Sequence, residues 1–165
     1  MQSTNIILIG FMGTGKSTVG EQLAQRLHYE RCDLDEEIVK ATGKTIPQIF
    51  AEDGEEIFRQ LETNVLRQLV DGNRRVIITG GGAVLRPENV QIMLRHGRVV
   101  ALTACEQEII RRVERDQNRP LLQGNVKEKV RELLQARAGA YDFAPVQIDT
   151  TGKTIEEIVD EITTA

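Results

Sequence analysis

A glycine-rich stretch, "GFMGTGKST" at 10–18, follows the apolar run "NIILI" and constrains the fold more than any other feature. Gly10, Gly15, Lys16 and Ser17 fill the pattern G-x-x-x-x-G-K-[ST]. Between a strand and a helix, such glycines let backbone N–H groups surround an anion, and the helix dipole adds positive potential. The lysine would neutralise phosphate charge, and the serine hydroxyl would ligate Mg²⁺. Because strand, spacing and helix agree, the sequence predicts a phosphate loop rather than a glycine turn with a surface lysine.

Short apolar runs alternate with longer helical patterns along the 165 residues. The predicted strands are 5–10, 29–33, 76–82, 98–103 and 145–150. The predicted helices are 16–27, 35–41, 46–51, 55–71, 87–95, 106–115, 126–139 and 154–163. Continuous apolar strands separated by helices indicate a parallel sheet covered on both faces. We therefore predict an α/β fold and a single domain over 1–165, with the polar stretch 116–125 as a mobile loop in a lid of about 113–125.

Composition argues against several classes of partner. The net charge is -4, whereas nucleic acids and anionic membranes select basic surfaces. No apolar run approaches the roughly 20 residues of a membrane span. Cys32 and Cys105 lie far apart without a CxxC pattern, so neither a disulfide framework nor a zinc site is expected. We predict a cytoplasmic protein with no nucleic-acid or membrane partner.

The chain lacks the features of two large classes of phosphate-loop protein. A GTPase switch reads guanine with N-K-x-D, which is absent from the sequence. A motor ATPase carries an acidic residue at the end of an apolar strand, but here that strand ends "VIITGGG". The sequence therefore favours a small kinase, in which an acceptor binds beside the phosphate loop.

Two aspartates, Asp33 and Asp35 in "DLD", are candidates for the chemistry of such a site. In an extended segment, residues i and i+2 point the same way, and at the carboxyl end of a parallel strand they face the ligand crevice. One carboxylate would support Mg²⁺, and the other would orient the attacking hydroxyl or accept its proton. The alternative is a helix cap, because Asp33 and Glu36 have the spacing of a capping box.

Three charged residues fall on or beside the apolar faces of predicted helices. Arg59 lies at the margin and Glu62 inside the face of the helix at 55–71, three residues apart, so that they can pair. The residues that define this face are Ile57, Phe58, Leu61, Val65 and Leu69. Arg137 lies near the middle of the face formed by Val126, Val130, Leu133, Leu134 and Tyr141. Both guanidiniums would bind an anionic acceptor, most simply a carboxylate, unless they form structural ion pairs.

A glycine triplet and two further arginines complete the candidates. Gly80, Gly81 and Gly82 close the predicted strand at 76–82, where they would let the backbone approach a ligand and donate N–H groups, unless they form a plain tight turn. Arg119, in the predicted lid, would stabilise the transferring phosphoryl group, or be a solvated loop arginine. Arg112 would flank the nucleotide, or be a surface helix arginine.

Together these segments resemble the shikimate kinase family over almost the whole chain. The segments that carry the resemblance are "GFMGTGKST", "DLDEEI", "IFAEDGEEIFRQLE", "TGGGAVL", "NRPLL" and "ARAGAY". The resemblance implies a P-loop NTPase three-layer sandwich with a five-stranded parallel sheet of order 2-3-1-4-5. It implies phosphorylation of shikimate by ATP, giving shikimate 3-phosphate and ADP in the chorismate pathway to aromatic amino acids.

The resemblance also implies roles for individual residues. The residues implied to wrap the nucleotide phosphates are Gly13, Thr14, Gly15, Lys16, Ser17 and Thr18. Mg²⁺ would lie on Ser17, with Asp33 supporting it through water. Lys16, Asp35 and Arg119 would be the catalytic residues, with Asp35 holding the attacking hydroxyl.

On the acceptor side, the resemblance implies that Arg59 and Arg137 clamp the shikimate carboxylate. The glycine triplet would contact a hydroxyl, most directly through Gly81. Arg112 and Lys153 would border the adenine. Two alternatives stay open: another small-metabolite kinase, for gluconate or a nucleoside monophosphate, and a non-catalytic nucleotide-binding module. A monomer is expected for a chain of this size.

Overall fold

Helices and strands alternate along residues 4–115 and 125–165, which a computed structural model of the chain describes. The strands in these ranges are β1 (Ile6–Ile9), β2 (Glu30–Asp33), β3 (Arg75–Ile78), β4 (Arg98–Thr103) and β5 (Val146–Asp149). The helices are α1 (Lys16–Leu27), α2 (Leu34–Thr42), α3 (Ile46–Glu52), α4 (Glu55–Val70), α5 (Pro87–His96), α6 (Glu106–Arg115), α7 (Val126–Ala136) and α8 (Ile155–Thr164). A short 3₁₀ helix spans Ala83–Leu85. Across the described ranges, no helix combines the length and the apolar character that crossing a membrane requires.

The strands form one parallel sheet of order β2-β3-β1-β4-β5, which confirms the order that the family resemblance implied. β1 is central and pairs with β3 on one side and with β4 on the other. Because all strands are parallel, their carboxyl ends meet at one edge of the sheet. The phosphate loop follows β1, Asp33 ends β2, and the glycine triplet follows β3, so the candidate residues come to the same edge.

Helices cover both faces of the sheet, and β1 shows why its sequence is continuously apolar. Ile7 and Ile9 point into a core formed with α2, α4 and α5. Ile6 and Leu8 point into a second core, formed with α1 and α8. Both sides of the strand are therefore buried, which confirms the predicted three-layer sandwich.

Two helices differ from the predicted patterns. α7 was predicted to run to 139 but ends at Ala136, and Gly139 just beyond has a φ of 78°, a conformation that favours chain reversal after a helix. On α4, Ile57 was predicted to be buried but is 41% exposed. The buried face of α4 includes the polar residues Glu62 and Thr63. A prediction from the apolar residues alone therefore leaves these two out and includes Ile57 instead.

Candidate active site

The phosphate loop surrounds a cavity of about 470 Å³, here called the phosphate cavity. Three residues of the loop, Gly10, Gly13 and Gly15, have a positive φ, a conformation that favours glycine. Gly10 has a φ of 145°, and a Cβ there would strike the carbonyl oxygen of Leu102. Gly15 has a φ of 99° and caps α1 without a side-chain hydrogen bond, so the first amides of α1 have no side-chain cap. Such amides at a helix N-terminus suit an anion.

The side chains of the loop divide between the cavity and the protein interior. Lys16, Ser17 and Thr18 line the cavity, together with Gly13 and Gly15. Lys16 Nζ donates to the carbonyl oxygens of residues 10 and 11, at 2.6 and 3.1 Å. Thr14 is 1% exposed, and its hydroxyl donates to Phe11. The predicted contact of Thr14 with phosphate therefore depends on its backbone, not on its hydroxyl.

Arg112 reaches the phosphate loop from α6. Its Nη1 donates to the carbonyl oxygen of Gly13 at 3.0 Å and to Thr150 Oγ1 at 3.1 Å. Its Nε donates to Glu108 at 2.8 Å, and it lines the phosphate cavity. Arg112 is therefore a partly exposed helix arginine, 27% exposed, that is hydrogen-bonded to the phosphate loop. Lys153 instead pairs with Glu161 at 2.7 Å and lines neither of the cavities described here.

Asp33 and Asp35 both line the phosphate cavity, but the predicted reason is wrong. The extended segment ends at Asp33, and Asp35 lies in the first turn of α2. Asp33 caps that helix by accepting a hydrogen bond from the amide of Glu36 at 3.1 Å. The helix-cap alternative therefore holds for Asp33. The abrupt change from strand to helix, rather than strand alternation, brings both carboxylates to the cavity.

A second cavity, of about 750 Å³ and here called the arginine cavity, adjoins the first. The two share Met12, Asp35, Gly80 and Gly81 in their walls. The charged residues that line the arginine cavity are Asp35, Arg59, Glu62 and Arg137. The apolar ones include Val39, Ile46, Pro47, Phe50, Ala51 and Phe58. This arrangement suits a small, anionic molecule with one reactive group at the junction.

Arg59 and Glu62 form the predicted pair on α4, with Nη1 2.9 Å from Oε1. Glu62 is 1% exposed, and its other oxygen, Oε2, has no hydrogen-bond partner among the described residues. Burial raises the pKa of Glu62, which the Arg59 guanidinium opposes. The guanidinium carbon of Arg59 also lies 5.2 Å from the Phe58 ring centroid. The arginine is thus held from two sides.

Arg137 enters the arginine cavity from the end of α7. It is the C-cap residue of that helix rather than an interior one, with a φ of -104°. Its guanidinium carbon lies 5.7 Å from the centroid of the Phe11 ring. Nearby, the Tyr141 hydroxyl donates to the carbonyl oxygen of Gly81 at 2.7 Å. The end of α7 is therefore tied to the glycine triplet.

The glycine triplet leaves room for three charged side chains. A Cβ on Gly82 would lie 2.5 Å from Arg59 Nη2, one on Gly81 3.0 Å from Arg137 Nη1, and one on Gly80 3.3 Å from Asp35 Oδ1. The backbone of the triplet itself is ordinary, because none of these glycines has a positive φ. The sequence predicted that the triplet lets the backbone approach a ligand. It did not indicate that the triplet also leaves room for the side chains of Arg59, Arg137 and Asp35.

Among the described residues, Asp35 is the one carboxyl that lines both cavities. Burial raises its pKa most, and the nearby carboxylate of Asp33 raises it further. Lys16 and Arg59 act in the opposite direction. Its Oδ1 atom is buried without a hydrogen-bond partner among the described residues. A buried, unpaired carboxylate oxygen at the junction of two cavities is suited to accept a hydrogen bond from a ligand.

Two features of the site carry no clear signal in the sequence, and one predicted site residue lies outside the described part of the chain. The apolar wall from α3 carried no functional signal, because its residues have the pattern of an ordinary core helix. Glu62 was noted only as a partner of Arg59, although it lines the cavity. Arg119 and most of the predicted lid lie outside the described residues.

Comparison with known proteins agrees with the geometry. A family model described as "Shikimate kinase" matches residues 12–165. The chain is 48% identical over 159 residues to a shikimate kinase of Pelotomaculum thermopropionicum, covering 96% of this chain and 92% of that protein. It is 43% identical to one of Thermus thermophilus, covering 97% and 88%.

Solved structures lead to the same family. A shikimate kinase from Acinetobacter baumannii in complex with shikimate has a TM-score of 0.91 and 40% identity, over 98% of this chain and 92% of that one. A gluconokinase from Sinorhizobium meliloti has a TM-score of 0.66 at 18% identity, over 98% and 90%, which shows a shared fold alone. With a family model, curated relatives and solved structures in agreement, this chain belongs to the shikimate kinase family.

Proposed function

We propose that the chain transfers the γ-phosphoryl group of ATP to the 3-hydroxyl of shikimate, giving shikimate 3-phosphate and ADP. This is a step of chorismate formation toward aromatic amino acids. The observation that carries the proposal is the shared wall of the two cavities. Asp35 lies at the junction of a phosphate cavity and a cavity with two guanidiniums. A donor and an anionic acceptor would therefore meet at one carboxylate.

The nucleotide would bind in the phosphate cavity. The amides of residues 13–18 would donate to its phosphates, and Lys16 would balance their charge. Arg112, which already bonds the loop carbonyl of Gly13, would border the nucleotide. We propose Lys153 at the adenine edge, although its present partner is Glu161.

The donor set of the phosphate cavity fits Mg²⁺. The Ser17 hydroxyl and the Asp33 carboxylate both line it, and such oxygen donors are those that magnesium prefers. Asp33 uses Oδ1 for its helix cap, and its Oδ2 lies 3.8 Å from Arg31 Nη2. Ser17 would ligate the ion directly and Asp33 through water. When bound, magnesium supplies positive charge that offsets the charge of the phosphates.

The acceptor would bind in the arginine cavity. Arg59 and Arg137 would hold its carboxylate, because the guanidinium fork matches a carboxylate with two parallel hydrogen bonds. The amides of the glycine triplet would position its hydroxyls. The unpaired Oδ1 of Asp35 would accept the hydrogen bond of the reacting hydroxyl and orient it.

The bonds that form and break in this transfer, and the proton that is released, can all be accounted for. The acceptor oxygen forms a bond to the γ-phosphorus while the bond from that phosphorus to the bridging oxygen of ADP breaks. The hydroxyl proton passes to Asp35, and Lys16 faces the negative charge that develops on the phosphoryl oxygens. Arg119, which we propose as the lid arginine, would add positive charge and exclude water.

An acceptor panel tests this function. ADP release from Mg-ATP is measured with no acceptor and with shikimate, gluconate or a nucleoside monophosphate. We expect stimulation by shikimate alone. Two arginines and a carboxylate suit a hydroxylated carboxylic acid better than a nucleoside monophosphate, and membership of the shikimate kinase family favours shikimate over gluconate. Stimulation by another acceptor would identify another small-metabolite kinase, and ATP binding without stimulated turnover would identify a nucleotide-binding module.

We further propose that the enzyme works as a cytoplasmic monomer, without nucleic-acid, membrane or protein partners. The two cavities are formed by residues of one chain, so no second copy is needed to complete the site. Light scattering during size-exclusion chromatography tests the oligomeric state. A dimer mass at micromolar concentration would contradict this part of the proposal.

A further inference from the structure

Asn89 is a fully buried polar residue that the proposed chemistry does not use. It lies in α5 and is 0% exposed. Its Nδ2 donates to the carbonyl oxygen of Ala83 at 2.9 Å, and its Oδ1 accepts from the Thr63 hydroxyl of α4 at 2.8 Å. Both ends of the amide are therefore satisfied, and each end is tied to a different segment.

The network around Asn89 also includes Arg86, at the start of the same helix. Arg86, the N-cap residue of α5, donates from Nη1 to Thr63 Oγ1 at 3.2 Å. Its Nη2 pairs with Glu56 of α4 at 2.7 Å. The hydroxyl of Thr63 accepts from Arg86, and its one proton is shared between Asn89 Oδ1 at 2.8 Å and the carbonyl oxygen of Arg59 at 3.0 Å. The network thus joins α4, the 3₁₀ helix and α5.

These segments carry parts of the arginine cavity. Thr63 lies one turn after Arg59 and next to Glu62 on α4. Ala83 directly follows Gly82, whose α-carbon lies so close to Arg59 that a Cβ would sit 2.5 Å from Nη2. The separation between α4 and the glycine triplet therefore decides whether the Arg59 guanidinium fits. Asn89 connects the two segments through its hydrogen bonds with Thr63 and Ala83, and it does not line the cavity.

We propose that Asn89 and Thr63 are positioning residues for the acceptor: their hydrogen bond holds the glycine triplet against α4, at the separation that aims Arg59 into the arginine cavity. Neither residue lines that cavity, so both act through Arg59 and the triplet. The inference deepens the proposed function and rests on its assignment of Arg59 to the acceptor carboxylate.

Asn5 provides a matched control for a purely structural role. It is also 0% exposed, and its Nδ2 donates to the carbonyl oxygens of Val70 and Gly72 at 3.2 and 2.8 Å. Its Oδ1 accepts from the amide of Arg75 at 3.1 Å. It precedes β1, at the edge of the sheet opposite the site. Losing Asn5 should therefore affect stability without affecting the acceptor.

The experiment compares Asn89→Asp, Thr63→Val and Thr63→Ser with Asn5→Asp. For each purified variant, the KM values for shikimate and ATP, kcat and Tm are measured. Since small displacements of binding groups have large kinetic effects, Asn89→Asp and Thr63→Val should raise the shikimate KM roughly tenfold and leave the ATP KM unchanged. Thr63→Ser keeps the hydroxyl and should restore the wild-type shikimate KM. Asn5→Asp should lower Tm but leave both KM values unchanged.

Three outcomes would overturn the inference. The first is an unchanged shikimate KM in Thr63→Val. The second is the same shikimate KM in Thr63→Val and Thr63→Ser. The third is a shikimate KM that rises as much in Asn5→Asp as in Asn89→Asp. If Asn89→Asp does not accumulate as a folded protein, the two Thr63 variants decide alone, because valine keeps the shape of threonine. Arg59→Lys is measured in parallel. An unchanged shikimate KM there would contradict the proposed role of Arg59 itself, independently of the Asn89 network.

Discussion

The phosphate cavity and the arginine cavity share a wall but are built differently. Six of the thirteen residues that line the phosphate cavity come from one contiguous segment, 10–18, which leads into the N-terminus of α1. The arginine cavity takes its charged groups from α2, α4 and the end of α7, which lie far apart in the chain. A site built from local backbone can be recognised from spacing alone, whereas a site built from distant side chains depends on the fold.

The largest expected effect is at the residues nearest to phosphoryl transfer. Lys16→Ala and Asp35→Asn should each lower kcat by at least about 100-fold, because one removes charge from the phosphates and the other removes the acceptor of the hydroxyl proton. Circular dichroism should show an intact fold in both variants. If the kcat of Asp35→Asn stays within a few-fold of the wild-type value, Asp35 lines the cavity but takes no part in the reaction.

The second largest effect should change the KM of one substrate and not of the other. Arg137→Lys keeps the charge but loses the bidentate fork, so the shikimate KM should rise by roughly 10- to 100-fold while the ATP KM stays unchanged. Arg131→Lys is the matched control, because Arg131 lies on the same helix, 60% exposed and paired with Glu106. A joint rise of both KM values in Arg137→Lys would mean that the two cavities are not independent.

A smaller, graded effect is expected from alanine in the glycine triplet. Gly82→Ala would place a Cβ 2.5 Å from Arg59, while Gly80→Ala would place one 3.3 Å from Asp35. The shikimate KM should therefore rise more in Gly82→Ala than in Gly80→Ala. Neither position has a positive φ, so backbone strain should not lower Tm. The reverse order of KM values would show that the triplet does not act by leaving room for Arg59.

The smallest effect concerns stability and pH. The pKa of Asp35 is raised in the folded state, mainly by burial, so ionising it costs folding energy. Its stabilising contribution is present below the unfolded pKa and is lost as pH rises through the folded pKa. Asp35→Asn should therefore have a higher Tm than wild type at pH 7, and the difference should shrink toward acidic pH. A Tm difference that does not change with pH would contradict this assignment.

The sequence predicted the phosphate loop and the sheet well because their signals are local. "NIILIG" reads as a buried strand, and the glycine spacing defines the loop that follows it. The apolar side of α3 was not recognised, because nothing in its pattern separates a cavity wall from a core. The same limit applies to the acceptor residues, which were identified as charges on apolar helix faces.

Where the prediction was wrong, tertiary context decided the local geometry. Asp35 was expected in an extended segment, yet the cap by Asp33 starts a helix one residue earlier. Arg137 was expected inside a helix, yet it ends one, and this position lets it reach the cavity. The glycine triplet was interpreted as backbone donors, although its neighbours show that side-chain room is also required. The cap by Asp33 has a local signal in its spacing to Glu36, whereas the room that the glycine triplet leaves for side chains is visible only with its neighbours.

The central claim is that a phosphoryl group crosses from the phosphate cavity to an acceptor in the arginine cavity. The most direct test is phosphorus NMR of the purified protein with Mg-ATP and shikimate. The account predicts ADP and a new phosphomonoester signal in equal amounts, with the phosphate on the shikimate 3-hydroxyl. ADP accompanied by inorganic phosphate alone, or no loss of ATP, would contradict it.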